Sequence, residues 1–534
     1  MANRCVSLYL VTWNVGDKGP PNDNLQELLN QHTDAQPDVV AIGLQEAKKE
    51  TDWLDSFRRV LLPRGYVLVK QRSLWAIHLF VFVMRKHLVA VQNIESEVTR
   101  SGYGGVLGNK GGVSIRMDLY GVNFIIVNAH FTAHITENHE RIEDFMDIID
   151  NQKFKDTDVE KLLDHDFVFW IGDLNFRIND LDHDLVLRKV EQKSYAELMK
   201  HDQLMVSKDA GLIFARFHEG QINFPPTYKF DKNTDRYDTS SKQRKPAWTD
   251  RILHLINEDN FENLVLSIDQ QWYRHLPQYK TSDHRPVCSL YQLKVFDKAP
   301  RMPVVMETDP VYRVHHKENC KLQMRYRINH KCKQRFQPDS WDWLGLFEDS
   351  LPDFASALSR VYAPSTDTED TDFGVDATLD LPSSLQTGLY RLVYFSVKKN
   401  CPVGYSDPVK IFAERQRSPV TIAADFEYRG PGRLRVTYTV HHSCKQAFSP
   451  SAADSLRLVA DDSTAASVQE MRVPTADTES TGFGVDAVFD LTKVAPGSRR
   501  TGSYRVLYFS SDRMAVMGQS ATFKPELKLI ASID

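Results

Sequence analysis

Residues 167–178 read FVFWIGDLNFRI: five apolar residues, Phe167 to Ile171, then Gly172, Asp173, Leu174, Asn175, Phe176 and Arg177. A short unbroken apolar run predicts a strand buried on both faces. This one ends in a carboxylate, an amide and a guanidinium. Three other runs end in the same way: LYLVTWN at Asn14, VVAIGLQE at Gln45 and Glu46, and FIIVNAH at Asn128 and His130. Helical patterns intervene, NLQELLNQH at 24–32 and ENHERIEDFMDIID at 137–150. Residues 1–298 are therefore expected to form an α/β (α+β) unit, a β-sandwich covered by helices. Polar groups gather at the strand ends, where loops build sites on a rigid scaffold. If the chain stays extended past Asp173, then Asp173, Asn175 and Arg177 share one face. Arg177 is then expected to brace the site through a carboxylate.

At 534 residues the chain exceeds one ordinary domain, and its 26% charged and 42% hydrophobic residues are those of a globular protein. A net charge of −5 with no long single-sign run excludes a general nucleic-acid binder, so an anionic ligand must be met by local cations. The six cysteines, Cys5, Cys288, Cys320, Cys332, Cys401 and Cys444, form no C-x-x-C pair and fit reduced cytoplasmic thiols better than zinc or redox motifs. MANRCVSLYLVTWNV at the N-terminus reads as a strand, not a signal peptide. No apolar run approaches the ~18 residues of a membrane span. The final LIASID has no cysteine for prenylation, so membrane contact is expected to be peripheral.

After residue 298 the composition changes. KAPRMPVVMETDP reads as a linker, and alternating strands follow. This half is duplicated: HKCKQRFQP (330–338) matches HSCKQAFSP (442–450), DTEDTDFGVDATLDL (367–381) matches DTESTGFGVDAVFDL (477–491), and TGLYRLVYFS (387–396) matches TGSYRVLYFS (501–510). Each copy has about the length of an immunoglobulin-like sandwich, roughly 100 residues. The expected domains are 1–298, 304–413 and 418–534. Trp341 and Trp343 of the first copy correspond to Ala453 and Ser455 of the second. They read equally well as core or as a contact surface.

KPAWTDRIL (245–253) adds Asp250 and Arg251 to the strand ends, and TSDHRPVCSLYQL (281–293) adds Asp283 and His284. The collected groups are Asn14, Glu46, His130, Asp173, Asn175, Asp250, Asp283 and His284. Carboxylate and amide oxygens suit magnesium, which takes few protein ligands. An aspartate can orient a water, and histidines can donate to charge on phosphoryl oxygens. Together this is the equipment of metal-assisted phosphoester hydrolysis. Singly, each group also reads as a turn former or a cap.

FWIGDLNFRI followed by RKPAWTDRIL resembles the paired signature of the inositol polyphosphate 5-phosphatases. These have the endonuclease/exonuclease/phosphatase (DNase I-like) fold, a four-layered β-sandwich flanked by helices. WNVG (13–16), GLQE (43–46), GNKGGV (108–113), NAHFTAH (128–134) and SDHRPV (282–287) match in the same order. The C-terminal copies resemble the SKICH module, of which the SKICH-bearing members carry one; the second copy departs from that pattern. The resemblance implies magnesium as cofactor, with Glu46 as its principal ligand and Asn14 close by. It implies that Asp173 orients and deprotonates the attacking water, with Asn175 beside it. His284 and His130 would face the scissile phosphate, Asp283 would sit beside His284, and Asp250 would orient the site. Thr249 stands where many members have cysteine, and little consequence is expected.

In the cationic segments PPTYKF (225–230) and SSKQRK (240–245), Tyr228, Lys229, Lys242 and Arg244 would bind a 4-phosphate. Multiple N–H donors clamp phosphate, and arginine does so bidentately. Asn109 and Lys110 would meet a 1-phosphate, although GNKGG also reads as an ordinary turn. Tyr103, Val106 and Leu107 of SGYGGVLG (101–108), with SLWA (73–76), would touch lipid chains or simply pack in the core.

The resemblance thus implies a magnesium-dependent 5-phosphatase. Its substrates would be phosphatidylinositol 4,5-bisphosphate and 3,4,5-trisphosphate, with soluble inositol polyphosphates as a second class. It would be cytoplasmic and peripherally associated with endoplasmic reticulum or plasma membrane, monomeric in its catalytic domain, and without a nucleic-acid partner. The SKICH-like repeats would serve targeting or protein binding. A nuclease or sphingomyelinase of the same fold would keep Glu46, Asp173 and His284 without the cationic clamp. A non-catalytic adaptor would not need the complete catalytic set.

Overall fold

Two parallel strand pairs organise the N-terminal part of the molecule. β1 (Asn3–Asn14) lies beside β2 (Val39–Gln45), and β7 (Val122–His130) beside β8 (Phe167–Asp173). β2 and β8 are buried at every position, as their unbroken apolar runs require. The intervening strands are β3 (Tyr66–Leu74), β4 (Ile77–Met84), β5 (Val91–Ser101) and β6 (Lys110–Leu119). After β8 come β9 (His218–Glu219), β10 (Asp250–Ile256), β11 (Ser267–His275) and β12 (Val287–Phe296). They form two six-stranded sheets, ordered β11-β12-β1-β2-β4-β3 and β5-β6-β7-β8-β10-β9. This is the expected sandwich.

The computed structural model describes residues 3–21, 25–30, 36–101, 110–156, 159–257, 266–296, 302–308, 311–315, 321–329, 336–363, 374–382, 384–414, 420–425, 433–440, 454–460, 467–472, 485–490, 504–510 and 515–520. Met1–Ala413 pack as one compact unit and Glu414–Asp534 as another.

Helix α1 (Glu50–Leu61) buries Trp53, Leu54, Phe57 and Leu61, with acids in its first turn and arginines in its last, matching the helix dipole. α2 (Asn138–Asn151) buries Arg141, Phe145 and Ile148, one helical stripe. α3 (His183–Glu191), α4 (Tyr195–Met199) and α5 (Gln203–Asp209) precede β9. The helix expected at 24–32 is not observed among the described residues. Residues 26–30 are turns, and Leu25, Leu28 and Leu29 reach the core from this segment. Apolar spacing marks its buried side without requiring further helical turns.

Below the strand ends, Trp170 packs among Phe131, Phe145, Phe214 and Phe217. A side chain of this kind buries ~150–250 Å², worth ~4–6 kcal/mol by area and fixing the strand against sliding. The sheets are joined by amides. Gln45 donates to Asn128 Oδ1 at 2.6 Å, and Asn128 Nδ2 donates to Leu44 O at 3.1 Å and His78 O at 2.8 Å. A side chain at Gly43 would put its Cβ 2.6 Å from Asn128 Oδ1, so glycine is required for this approach.

In the first repeat, β13 (Val304–Glu307), β14 (Val311–His315), β15 (Lys321–Ile328), β16 (Trp343–Glu348), β17 (Ser359–Tyr362), β18 (Val375–Asp380), β19 (Gly388–Ser396), β20 (Cys401–Tyr405) and β21 (Val409–Glu414) form two facing antiparallel sheets. β15 alternates strictly, burying Leu322, Met324, Tyr326 and Ile328. The second unit contains β22 (Val420–Asp425), β23 (Arg433–Val440), β24 (Ser455–Ala460), β25 (Ser467–Arg472), β26 (Val485–Asp490), β27 (Tyr504–Ser510) and β28 (Ala515–Gln519). Its pairings repeat those of the first. Trp343 faces Phe395 as Ser455 faces Phe509, and the bulge between Tyr394 and Phe395 recurs between Tyr508 and Phe509. The duplication thus extends to register. The two tryptophans divide: Trp343 stacks on Phe395 at 4.8 Å, whereas Trp341 is 62% exposed and touches Tyr362 edge-on.

Candidate active site

Strand register builds one row of polar groups. Parallel pairing sets Asn14 beside Gln45 and His130 beside Asp173, and antiparallel pairing sets Asp250 beside Asp173. Gly172 has φ +150°, and a Cβ there would lie 2.0 Å from Ala129 O. Only glycine therefore lets β7 and β8 close up immediately before His130 and Asp173. The segment before β12 supplies Asp283 and His284, held by Ser282, whose hydroxyl donates to Asn14 O at 2.7 Å and accepts from His284 N at 3.2 Å. Trp13 Nε1 also donates to His284 O at 3.3 Å.

Asp173 is the centre. Its Oδ2 accepts from Asn14 Nδ2 at 2.8 Å and lies 3.3 Å from His130 Nε2 and 3.9 Å from His284 Nε2. The other face of His284, Nδ1, sits 3.0 Å from Asp250 Oδ2. Thr227 and Thr249 both donate to that same Asp250 oxygen, at 2.7 and 2.9 Å. Burial works against a charged His284, but Asp250 and then Asp173 outweigh it and push its pKa up to about 10. Burial also opposes charge on Asp173, yet His284, His130 and Lys110 hold its carboxyl well below the usual range. His130 is shifted the other way, downward, by burial and by the Lys110 ammonium 2.5 Å from its Nε2. The site thus holds one imidazolium and one neutral imidazole around a carboxylate.

Asp173, Asp250 and His284 have ligand atoms within 4.8 Å of one another. They are a poor metal seat, because an imidazolium has no lone pair to give. Glu46 and Asn14 fit a hard cation better. Glu46 is half-exposed at a left-handed φ of 54°, and its carboxylate lies 4.0 Å from His130 Nε2. Asn14 Oδ1 accepts from Gly16 N at 3.0 Å and keeps a second lone pair. An available carboxylate beside an amide oxygen is an oxygen donor set of the kind magnesium takes.

Asn175 and Arg177 differ from expectation. The chain does not stay extended: β8 ends at Asp173, and Asn175 is left-handed with φ 56°. Asn175 N donates to Asp173 Oδ1 at 3.2 Å, and its Nδ2 donates to Phe131 O at 3.0 Å. Arg177 braces through Asn175 Oδ1 at 2.6 Å, not through a carboxylate, and lies 4.3 Å over the Tyr228 ring. The buried Tyr228 ring in turn stands 4.5 Å from the His284 ring. Lys229 donates to Asp283 Oδ2 at 2.8 Å, Arg244 is held by Asp238 at 3.4 Å, and Lys242 is exposed. Asn109, Tyr103, Val106 and Leu107 lie outside the described residues. Thr227 and Ser282 escape a reading of the sequence, since one hydroxyl inside a loop motif leaves no periodic or charge signal. Thr249 proves to be a member of the hydrogen-bond network.

Residues 11–290, just over half of the chain, match the endonuclease/exonuclease/phosphatase family 2, and residues 313–411 match the SKICH domain. The inositol polyphosphate 5-phosphatase K of Mus musculus is 33% identical over 430 residues, covering 76% of this chain and 90% of that protein. The chain belongs to the inositol polyphosphate 5-phosphatase family. Within that family it is also 32% identical to the phosphatidylinositol 4,5-bisphosphate 5-phosphatase A of Mus musculus, covering 76% of this chain and 41% of that protein. It therefore spans about two-fifths of the length of that relative. Among solved structures, the inositol polyphosphate 5-phosphatase domain of SPsynaptojanin with inositol (1,4)-bisphosphate and calcium matches with a TM-score of 0.50 and 31% identity. That match covers 55% of this chain and 86% of the other. In this family member the SKICH match falls on the first repeat.

Proposed function

We propose that the protein hydrolyses the 5-phosphate of phosphoinositides and inositol polyphosphates, with magnesium as cofactor. The observation that carries this reading is the buried chain Asp250–His284–Asp173–Asn14, an ionised relay ending beside a carboxylate available for metal. Asp173 accepts the proton of the attacking water, its position fixed by Asn14 and by Asn175 N. The water oxygen bonds to phosphorus as the bond to the inositol oxygen breaks, and that oxygen leaves with the bonding pair and takes up a proton from solvent. His284, kept protonated, donates to the phosphoryl oxygens as charge builds. Glu46 and Asn14 are the residues that would hold magnesium, which would supply charge neutralisation and polarisation of the phosphate. Lys229, Arg244, Lys242 and Tyr228 are assigned to a 4-phosphate, with Tyr228 beside His284 and Lys229 on Asp283, and Lys110 lies beside His130.

The name of one relative favours phosphatidylinositol 4,5-bisphosphate as one substrate, and the 3,4,5-trisphosphate is proposed as the second lipid. The clamp argues against a nuclease or sphingomyelinase. Phosphate release across phosphoinositides, soluble inositol phosphates, sphingomyelin and DNA tests the reading. Release is expected only from substrates bearing a 5-phosphate and is expected to stop with EDTA. Activity on DNA or sphingomyelin alone would sink it. In the same panel, Lys229→Ala with Arg244→Ala should raise KM by about 10–100-fold for substrates with a 4-phosphate, the worth of one or two charge-assisted hydrogen bonds. An equal loss on substrates lacking it would remove the clamp assignment.

We further propose that the enzyme acts in the cytoplasm, peripherally on endoplasmic reticulum or plasma membrane, with its repeats engaging membrane or protein. Support comes from Trp341, large, aromatic and exposed, a combination typical of contact surfaces. Among the described residues no helix is long and apolar enough to cross a membrane. Trp341→Ala is expected to shift the protein toward the soluble fraction of cells; an unchanged distribution would discount that surface.

A further inference from the structure

The first repeat is built into the catalytic sandwich. The loop between β16 and β17 lies along β3, the edge strand of its sheet, where β3 bulges between Leu68 and Lys70. Leu68 N donates to Pro352 O at 3.0 Å, and Leu68 bridges Asp353 in parallel register. Asp353 is buried. One of its oxygens accepts from Arg58 of α1, and the other accepts from Ala355 N at 2.8 Å and Ser356 N at 2.7 Å, which shapes the loop. Arg85 donates to Ser350 O. On the other sheet, Asn400 Nδ2 donates to Ile94 O of edge strand β5 at 2.6 Å. A continuous buried apolar cluster includes Val69 and Ile94 of the sandwich and Leu351, Cys401 and Val403 of the repeat. Open sheet edges need cover, and here the repeat supplies it.

The elements that Asp353 grips are those that hold Glu46. Ala47, the next residue, donates its N–H to Ala76 O at 3.0 Å, and its carbonyl lies 2.6 Å from His78 Nε2. His78 Nδ1 is 2.8 Å from Ser73 Oγ, which donates to Glu50 Oε1 at 2.6 Å in the first turn of α1. Glu46 thus hangs, on a left-handed backbone, from the β3–β4 hairpin and from α1. Arg58 on α1 and Leu68 on β3 are the points where the repeat takes hold.

We infer that Asp353 is a positioning residue for the metal site: through Arg58 and Leu68 the first repeat seats α1 and β3, and thereby the carboxylate of Glu46. This rests on the assignment of Glu46 to the metal. Full-length protein is titrated with Mn2+ alone, without substrate, for Asp353→Ala, Asp353→Asn, Arg58→Ala, the Asp353→Ala/Arg58→Ala double variant and Glu46→Gln. Supports of metal ligands typically cost 10–100-fold in affinity when removed. At this greater remove, Asp353→Ala is expected to weaken Mn2+ about 10-fold. Asp353→Asn, which keeps the loop acceptor, should lose less, and Arg58→Ala should not add to Asp353→Ala. kcat at saturating metal should stay within about twofold, a split that general loosening of the fold would not produce. Wild-type Mn2+ affinity in the folded Asp353→Asn and Asp353→Ala proteins, with Glu46→Gln impaired, overturns the inference alone. Wild-type affinity in Glu46→Gln overturns the metal assignment and the inference with it.

Discussion

Asp173→Asn is expected to lower kcat by about 10³–10⁴-fold while leaving KM for a 4-phosphorylated substrate near that of the wild type. The size follows from the ordinary worth of a placed general base, ~10²–10⁴-fold, taken at its upper end because one carboxylate serves two tasks here. In the proposed mechanism it takes the proton from water, and it is one of the two counter-charges that keep His284 protonated against the cost of burial. An amide can do neither. The shape is retained, since the amide oxygen of the substituted side chain can still accept from Asn175 N, and Lys229 and Arg244 are untouched. Steady-state kinetics with the folded variant decide it. Phosphate release at the wild-type rate would remove Asp173 from the chemistry, and a large rise in KM at constant kcat would make it a binding group.

The parts of this site that could be read from sequence are those written by strands. A strand buried on both faces has no alternation to hide its boundaries, so the switch from Ile171 to Asp173, or from Val11 to Asn14, marks the sheet edge directly. Register then gathers the ends. What failed to show were features decided by single backbone angles or by distant partners. Asn175 takes a left-handed φ that one asparagine does not announce, and this turns Arg177 toward Asn175 and Tyr228 and away from any carboxylate. Leu25, Leu28 and Leu29 have helical spacing, yet a turn closed by Leu29 N to Leu25 O buries them equally well. The seam between sandwich and first repeat joins Arg58 to Asp353 across 295 positions, with no periodic mark on either side. A proline-rich linker at 298–310 suggests independent modules, while the contacts make Met1–Ala413 one unit. Register also separates site residues from structural ones: Asn128 and Gln45, equally polar at equally good strand ends, are spent on joining the sheets.

The largest expected loss of stability lies one residue past Asp250. Arg251 is fully buried, with Nε and NH2 donating to the two oxygens of Glu219 at 2.7 and 2.6 Å and NH1 donating to Asp202 at 2.9 Å. Burial alone would lower its pKa, but Asp202 and Glu219 hold it well above its ordinary value. Arg251→Met leaves two buried carboxylates facing each other with, among the described residues, one remaining side-chain donor, the Tyr273 hydroxyl on Glu219. Breaking a buried ion pair from one side costs about 3–5 kcal/mol, far more than the pair itself contributes over an apolar replacement. Asp202 also caps α5 through Met205 N, and Gln203 N donates to Arg177 O, so the disturbance reaches the Asn175 arm of the site. Denaturant unfolding of the full chain, followed by tryptophan fluorescence, should show the catalytic unit's transition moved to lower denaturant by that amount. Adding Asp202→Asn and Glu219→Gln to Arg251→Met should restore most of it, because no buried charge then lacks a partner. If the triple variant is as unstable as Arg251→Met, the loss comes from packing around the guanidinium, and the charge argument for this cluster fails.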